Sequence, residues 1–227
     1  MSLNIHTIKL GVANSYLIRA EGTILIDSGS PKQVKVFNKA LHKIRVKPED
    51  IKLVLNTHGH WDHIGSARDI KEITGADIAM HENEAEWLER ALVILPPAVS
   101  IWGRILISAM MMAKPFIKIP ATGVDVVLNN EDFSLTEYGI PGRVIYTPGH
   151  SSGSVSLLLD TGEAFVGDLA MNEFPLRLSA GLPIFAEDLD KVKESWELLF
   201  SLGAKTIYPA HGKPFSSDVF RKVLLIK

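Results

Sequence analysis

The feature that most constrains this chain is a short run rich in metal-ligand side chains, Thr57-His58-Gly59-His60-Trp61-Asp62-His63. It places three imidazoles and one carboxylate within positions 58–63. A packed core or a solvated loop has little reason to assemble so many ligand groups, so we interpret the run as part of a metal site. A fold that accommodates it must hold those side chains together on one short loop.

Three further candidate ligands, His150, Asp168 and His211, stand beside Gly or Pro later in the chain, where turns are expected. The chain has no cysteine, which excludes thiolate ligands and disulfide bonds. Closed structural zinc sites usually have four ligands and often use thiolates, so a larger set of His and Asp side chains suggests two metal ions that share a bridging ligand. We expect two divalent ions, with zinc first and iron or manganese as alternatives.

Short apolar runs predict a strand before each group of candidate ligands. Residues 51–55 precede the His-rich run, and residues 143–146, 164–166 and 206–208 precede the other three ligands. Loops beyond the carboxyl ends of strands commonly carry the chemistry of α/β sheets. Further strands are predicted at 5–10, 14–19 and 23–26, and helices at about 31–45, 62–73, 83–93, 98–113, 188–202 and 216–226. The strands outnumber those of a simple βαβ repeat, which favours two packed sheets covered by helices.

Composition narrows the classes of partner. A length of 227 residues favours one domain, 1–227, and 24 Lys plus Arg against 26 Asp plus Glu leave no basic field for nucleic acid. The start of the chain lacks the basic and apolar regions of a signal peptide, so we expect a cytoplasmic protein. The expected partner is a small-molecule substrate.

A hydrophobic insert is predicted at about 91–120, as two helices joined near Pro96. Prolines and charged residues divide it into pieces too short to span a bilayer, so no membrane span is expected. Its apolar side chains could cover the metals as a substrate lid, or they could form core or a homodimer face. The residues proposed for the lid are Trp87, Trp102, Ile105 and Met110.

The pattern His58-x-His60-x-Asp62-His63, followed in order by His150, Asp168 and His211, resembles the metallo-β-lactamase fold superfamily over nearly the whole chain. The resemblance implies an α/β fold, a four-layer αββα sandwich of two mixed β-sheets flanked by helices. It also implies the ligand sets: His58, His60 and His150 for one metal, Asp62, His63 and His211 for the other, and Asp168 as the bridge. Asp27 would orient the ligand loop, although Ile26-Asp27-Ser28-Gly29 could equally be a turn that ends a strand.

The activity implied by this resemblance is that of a dinuclear metal-dependent hydrolase, in which a bridging hydroxide attacks an ester, lactone or thioester of a small, apolar acyl substrate. Asp62 and Asp168 would be the catalytic carboxylates. The chain departs from the superfamily's acyl-homoserine lactonases at Met171, where they carry a tyrosine. It ends too soon after His211 for the glutathione-binding helical domain of glyoxalase-II-like thioesterases, and Asp168 argues against a true β-lactamase.

Two alternative functions fit the same fold and ligand residues. A mononuclear iron enzyme that resembles persulfide dioxygenases would bind its metal through His58, His150 and Asp168. A metal-binding protein without turnover would keep the same fold and ligands, because neither guarantees an activity.

Overall fold

Two mixed sheets of six strands each pack face to face in the computed structural model, which describes residues 3–224. The first sheet contains, in spatial order, β1 (Asn4–Leu10), β2 (Ala13–Arg19), β3 (Thr23–Ile26), β4 (Ile51–Leu55), β5 (Asp77–His81) and β6 (Val126–Leu128). The second contains β7 (Phe133–Ser134), β8 (Gly142–Tyr146), β9 (Val155–Leu159), β10 (Glu163–Met171), β11 (Thr206–His211) and β12 (Phe215–Ser216). Strands β3 to β6 run parallel to one another, as do β10 and β11, and the remaining pairs are antiparallel.

Helices cover both outer faces. They are α1 (Val34–Ile44), α2 (Trp61–Ile64), α3 (Ala67–Thr74), α4 (Glu82–Glu89), α5 (Ile101–Ala113), α6 (Leu189–Ser201) and α7 (Asp218–Leu224). Short 3₁₀ turns occur at Pro48–Asp50, Lys114–Phe116 and Thr136–Tyr138.

The alternation of side chains along the strands builds three layers of core. In β2, Tyr16 and Ile18 pack between the sheets, whereas Leu17 faces the layer that contains Phe37 of α1. Trp196 of α6 packs on the outer face of the second sheet. A period of two therefore places successive residues in different layers, and the predicted four-layer αββα sandwich is confirmed.

Several predicted helices have different bounds; the helix expected at 83–93 ends at Glu89, and the one expected at 98–113 begins at Ile101. We expected the first helix to begin at Pro31, but α1 begins at Val34, because the Ser30 hydroxyl accepts the Val12 N–H instead of capping a helix. The helix predicted at 62–73 is divided into α2 and α3 at Gly65. A Cβ on Gly65 would lie 2.4 Å from the nitrogen of Pro31, so the chain turns there to pack closely on that segment.

The predicted pair of helices in the insert is also wrong. Residues 92–100 contain no helix, and α5 alone supplies the α-helical part of segment 91–120. The extended stretch pairs with the segment before α6, because Val99 N–H donates to Ile184 O and Ala186 N–H donates to Pro97 O. Prolines 96 and 97 suit this extended backbone and cannot continue a helix.

Candidate metal centre

The seven predicted ligands converge at one edge of the sandwich. The loop after β4 carries His58 and His60, α2 carries Asp62 and His63, and the loop after β8 carries His150. Two expected positions are corrected: Asp168 lies within β10 and His211 is the last residue of β11, whereas we had placed both in turns. A break in the β10/β11 register around Gly167 turns Asp168 toward the other ligands.

Glycines allow the ligand segments to approach one another. Gly167 has a φ of +52°, and a Cβ there would lie 2.4 Å from the Thr57 hydroxyl oxygen. A Cβ on Gly59 would lie 2.6 Å from the Trp87 ring. A larger residue at either position would force apart the loops that carry the candidate ligands.

Three groups of three side chains could each surround one cation; two of them share no residue, and the third, His58, His63 and Asp168, lies between them. The first comprises His58, His60 and His150, and the second comprises Asp62, His63 and His211; within each group one ligand atom from every residue lies within 4.8 Å of the others. In the first group His60 Nδ1 lies 2.9 Å from His150 Nε2. In the second, Asp62 Oδ2 lies 3.3 Å from His211 Nε2 and 3.9 Å from His63 Nε2.

Asp168 stands between the two groups. Its Oδ1 lies 3.5 Å from His63 Nε2 and 3.4 Å from His211 Nε2, whereas its Oδ2 lies 3.7 Å from His150 Nε2. Each oxygen of this one carboxylate therefore faces a different triad, which is the arrangement needed to bridge two cations.

Asp27 holds the ligand loop from behind. Its Oδ2 lies 2.9 Å from His63 Nδ1, and its Oδ1 accepts the Thr57 N–H at 2.8 Å. The Thr57 hydroxyl contacts both Asp27 and His58 Nδ1. It satisfies both contacts when its O–H donates to the carboxylate and its oxygen accepts the N–H of the ring.

The second ring nitrogens of the histidines are therefore directed inward. His150 Nδ1 donates to the Phe185 carbonyl at 2.9 Å, so Nε2 of His150, like Nε2 of His58, keeps a lone pair for the centre, and Nε2 of His63 also faces the centre. Nε2 of His58, Nε2 of His63 and Oδ1 of Asp168 are buried without a hydrogen-bond partner among the described residues. Buried polar atoms rarely lack partners, so the residues present fit divalent metal ions.

The pKa values of the histidines differ between the two triads. Burial lowers the pKa of His60 to about 3, and burial together with the neighbouring histidines lowers the pKa of His58 well below its usual value. Burial also disfavours charge on His211, but the carboxylates of Asp168 and Asp62 outweigh it and raise the pKa to about 10. Asp27, Asp168 and Asp62 likewise raise the pKa of His63 against the effect of burial.

Sequence analysis missed Glu84, a fully buried carboxylate on α4. It accepts the Gly59 N–H at 2.5 Å and the Gly153 N–H at 2.7 Å, so it joins the loop of His58 and His60 to the loop of His150. Burial raises the pKa of Glu84. An isolated Glu on a helix gives no sequence signal for this role, because both partners are backbone groups distant in the chain.

A cavity of about 480 Å³ opens beside the ligands. Its walls include Val12, Trp61, Pro96, Met110, Met171, Phe174, Leu176 and Phe185, and His60, Asp62, Asp168 and His211 also border it. The Lys9 ammonium pairs with Glu173 at 2.8 Å, and both residues line the same cavity.

The four residues proposed as a lid differ in their position relative to the cavity. Met110 borders the cavity, whereas Trp87, Trp102 and Ile105 are not among the described residues that line it. Trp87 lies behind the ligand loop, with its ring centre 5.9 Å from that of His60. The Trp102 indole N–H donates to the carbonyl of Pro175, which itself lines the cavity.

The fold and the cluster of His and Asp side chains together define an αββα protein with a site that could hold metal ions. The chain belongs to the metallo-beta-lactamase superfamily, whose family model matches residues 8–211. Among the residues that the structure describes, no helix has the length and apolar character to cross a membrane.

Similar proteins cover most of the chain. The probable metallo-hydrolase YflN of Bacillus subtilis (strain 168) is 26% identical over 240 residues, which cover 97% of this chain and 88% of that protein. The Beta-lactamase-like protein 2 homolog of Drosophila melanogaster is 25% identical, over 96% of this chain but only 65% of its own length. The crystal structure of the B3 metallo-beta-lactamase BLEG-1 superposes with a TM-score of 0.70 at 20% identity, covering 96% of this chain and 97% of the other, which shows a shared fold.

Proposed function

We propose that this chain is a dinuclear metal-dependent hydrolase that cleaves an ester, lactone or thioester with a small, apolar acyl group. The observation that carries the proposal is the position of Asp168, whose two oxygens face two different ligand triads beside an apolar cavity. A site for one cation would need only one of those triads.

In this proposal His58, His60 and His150 would hold one cation, Asp62, His63 and His211 would hold the other, and Asp168 would be a ligand shared by both. Two divalent ions bound there would supply Lewis acidity for a carbonyl oxygen and would lower the pKa of a water molecule toward neutrality. Zinc fits these nitrogen and oxygen donors, and iron or manganese fits them as well.

The chain's own residues would orient the reactants. Asp62 borders the cavity, and although burial opposes its ionisation, His63 and His211 lower its pKa, so it is an ionised acceptor that can hold and orient an attacking water. Asp168 is also ionised, because His211 and His63 outweigh the effect of burial and hold its pKa well below the usual range. Asp27 positions His63 without reaching the cavity.

The cavity supports an apolar acyl group as the substrate's recognition element. Met110 and Met171 are unbranched and adaptable, and they line it with the rings of Phe174 and Phe185. Met171 is buried and packs with Ile184 and Phe185, so the position that carries tyrosine in acyl-homoserine lactonases is part of the apolar wall here. We therefore propose that the chain lacks the hydroxyl donor of those lactonases.

The test is an activity screen with purified protein. Esters, lactones and thioesters that share one medium-length acyl group should be hydrolysed, activity should be lost with a chelator, and added zinc should restore it. An Asp62→Asn variant, in which Met171 and the other residues of the cavity wall are unchanged, should lose the activity. Oxygen consumption with a persulfide, or metal binding without turnover on any of these substrates, would contradict the proposal and favour one of the two alternatives.

A further inference from the structure

Helix α5 is apolar on both its sides, but the fold covers only one of them. Its inner side packs through Leu106, Ile107 and Met110 on Met171 and Phe185. A helix that is hydrophobic all round is usually buried or lies in lipid. The outer side of α5 therefore requires a partner of its own.

The outer side carries large apolar side chains near both ends, with the exposed Ser108 between them. Ile101, Ile105 and Met112 are separated by four and seven positions, a spacing that places them on one face of a helix. Ile101 is 79% exposed and Met112 is 80% exposed, and Phe116 in the next turn is 84% exposed. We call the surface formed by Ile101, Ile105, Met112 and Phe116 the outer α5 face.

A neighbouring loop extends this apolar surface. The Trp102 indole N–H donates to Pro175 O at 2.7 Å, which fixes the loop beside α5. Phe174 in that loop is 76% exposed and also lines the cavity, and Leu178 is 90% exposed. The cavity therefore opens at the edge of the exposed apolar region.

The charged side chains within segment 91–124 have one sign. Arg104, Lys114 and Lys118 are exposed, and the sequence has no Asp or Glu between Arg90 and Asp125. The whole chain, in contrast, has a formal net charge of -2. Beside Phe174, the carboxylate of Glu173 is ion-paired with Lys9.

We propose that the outer α5 face docks on an anionic lipid surface, with α5 lying in the plane of the interface. Binding of a helix at a lipid interface strengthens with the apolar area that it buries and with the attraction of its cations to anionic lipid, and the outer α5 face offers both. Charge complementarity favours lipid over a second copy of the chain, because a symmetric dimer through this face would bring the same cations together without a carboxylate from segment 91–124 to pair them.

The proposal is tested by sedimentation of the full chain with vesicles of phosphatidylcholine, alone or mixed with phosphatidylglycerol. The wild type should bind the anionic vesicles more tightly, and added salt should weaken binding. Lys114→Gln and Lys118→Gln should each weaken it about fivefold. Met112→Glu and Phe116→Glu should abolish binding, whereas Val36→Glu, which alters an exposed apolar residue of α1, should leave it unchanged.

Circular dichroism and thermal melting show whether each variant is folded. If Met112→Glu or Phe116→Glu unfolds the protein, the two lysine variants still test the proposal. Failure of the folded wild type to bind anionic vesicles would overturn the proposal. It would also be overturned by a stable dimer in lipid-free solution that Met112→Glu dissociates, because the face would then be a contact between copies. Metal content and hydrolase activity in solution are measured separately, so this result is independent of the proposed chemistry.

Discussion

Asp27 Oδ2 lies 2.9 Å from Nδ1 of His63, on the side of the ring opposite the candidate metal centre. Both residues are buried, and the contact directs His63 Nε2 toward Asp62 and Asp168. Asp27 has a φ of 57°, a left-handed conformation that Asp and Asn adopt more readily than most residues. The backbone and the carboxylate are therefore both suited to hold this imidazole.

Replacement of Asp27 by Asn tests this positioning role. Asn tolerates the same backbone conformation but removes the charge that orients and polarises His63, so we expect metal binding to weaken by about 10- to 100-fold. Competition with a chromogenic chelator measures the affinity. Asp77→Asn removes an equal charge at an exposed position at the start of β5 and is the matched control. Unchanged affinity in folded Asp27→Asn would contradict the role.

Glu84 should contribute mainly to stability and to the alignment of the two ligand loops. Glu84→Ala leaves the Gly59 and Gly153 N–H groups without their acceptor, which should cost about 2–6 kcal/mol in the free energy of unfolding. Urea denaturation of chelator-treated protein measures this cost without a contribution from bound metal. Glu89→Ala, at an exposed position of the same helix, should change stability by less than about 0.5 kcal/mol. Equal stability of the two variants would contradict the bridging role of Glu84.

Metal binding should release protons at neutral pH. In chelator-treated protein, His211 has a pKa raised to about 10 by Asp168 and Asp62 against the effect of burial, so its ring carries a proton that a cation must displace. His60, with its pKa lowered by burial to about 3, has no such proton to lose. Because protons are displaced, affinity should rise with pH, by about tenfold per pH unit for each proton.

Calorimetric titration with zinc in two buffers of different ionisation enthalpy measures this release. The observed heat should depend on the buffer, and His211→Gln should reduce that dependence. A heat that is independent of the buffer in the wild type would show that the predicted protons are absent.

Sequence and structure agree where the chemistry depends on residue type and order. The His-rich run after an apolar strand predicted the position of His58 and His60, and the number of predicted strands indicated two packed sheets. The break in the β10/β11 register that turns Asp168 toward the other ligands could not be predicted from the sequence, because it depends on Gly167 packing against Thr57. The same reason explains the missed contact of Glu84 with two loops that are far apart in the chain.

The insert shows how local patterns can mislead. An apolar run with helical spacing suggested two helices, but residues near Pro97 pair through their backbone with the segment around Ile184. The apolar pattern also suggested four residues for a lid. Of these, Met110 is the one among the described residues that line the cavity. Which side of α5 faces the cavity depends on tertiary packing and not on the helix's own periodicity.

Met110 should therefore influence selectivity for acyl chain length. Met110→Ala removes part of the apolar wall, and we expect kcat/KM for a longer acyl substrate to fall about tenfold relative to that for an acetyl substrate. Met111→Ala changes the next residue, which is 61% exposed and is not among the described residues that line the cavity, and should leave the ratio unchanged. Trp102→Ala should raise KM for longer substrates through the loss of its contact with Pro175.

Parallel measurements on the two methionine variants separate a role in the cavity from a general effect on α5. Equal effects of Met110→Ala on long and short acyl substrates would remove Met110 from the specificity pocket, and the same outcome for Trp102→Ala would remove the lid proposal.

We propose that Asp168 joins two metal-binding triads. The number of metal ions per chain tests this role, measured by elemental analysis of protein purified without added metal and again after loading with zinc and extensive dialysis. We expect two ions per chain in the loaded wild type and a lower content in Asp168→Ala. A single ion per chain after loading would contradict the dinuclear centre, and a single iron in the protein as purified would favour the mononuclear oxygenase instead.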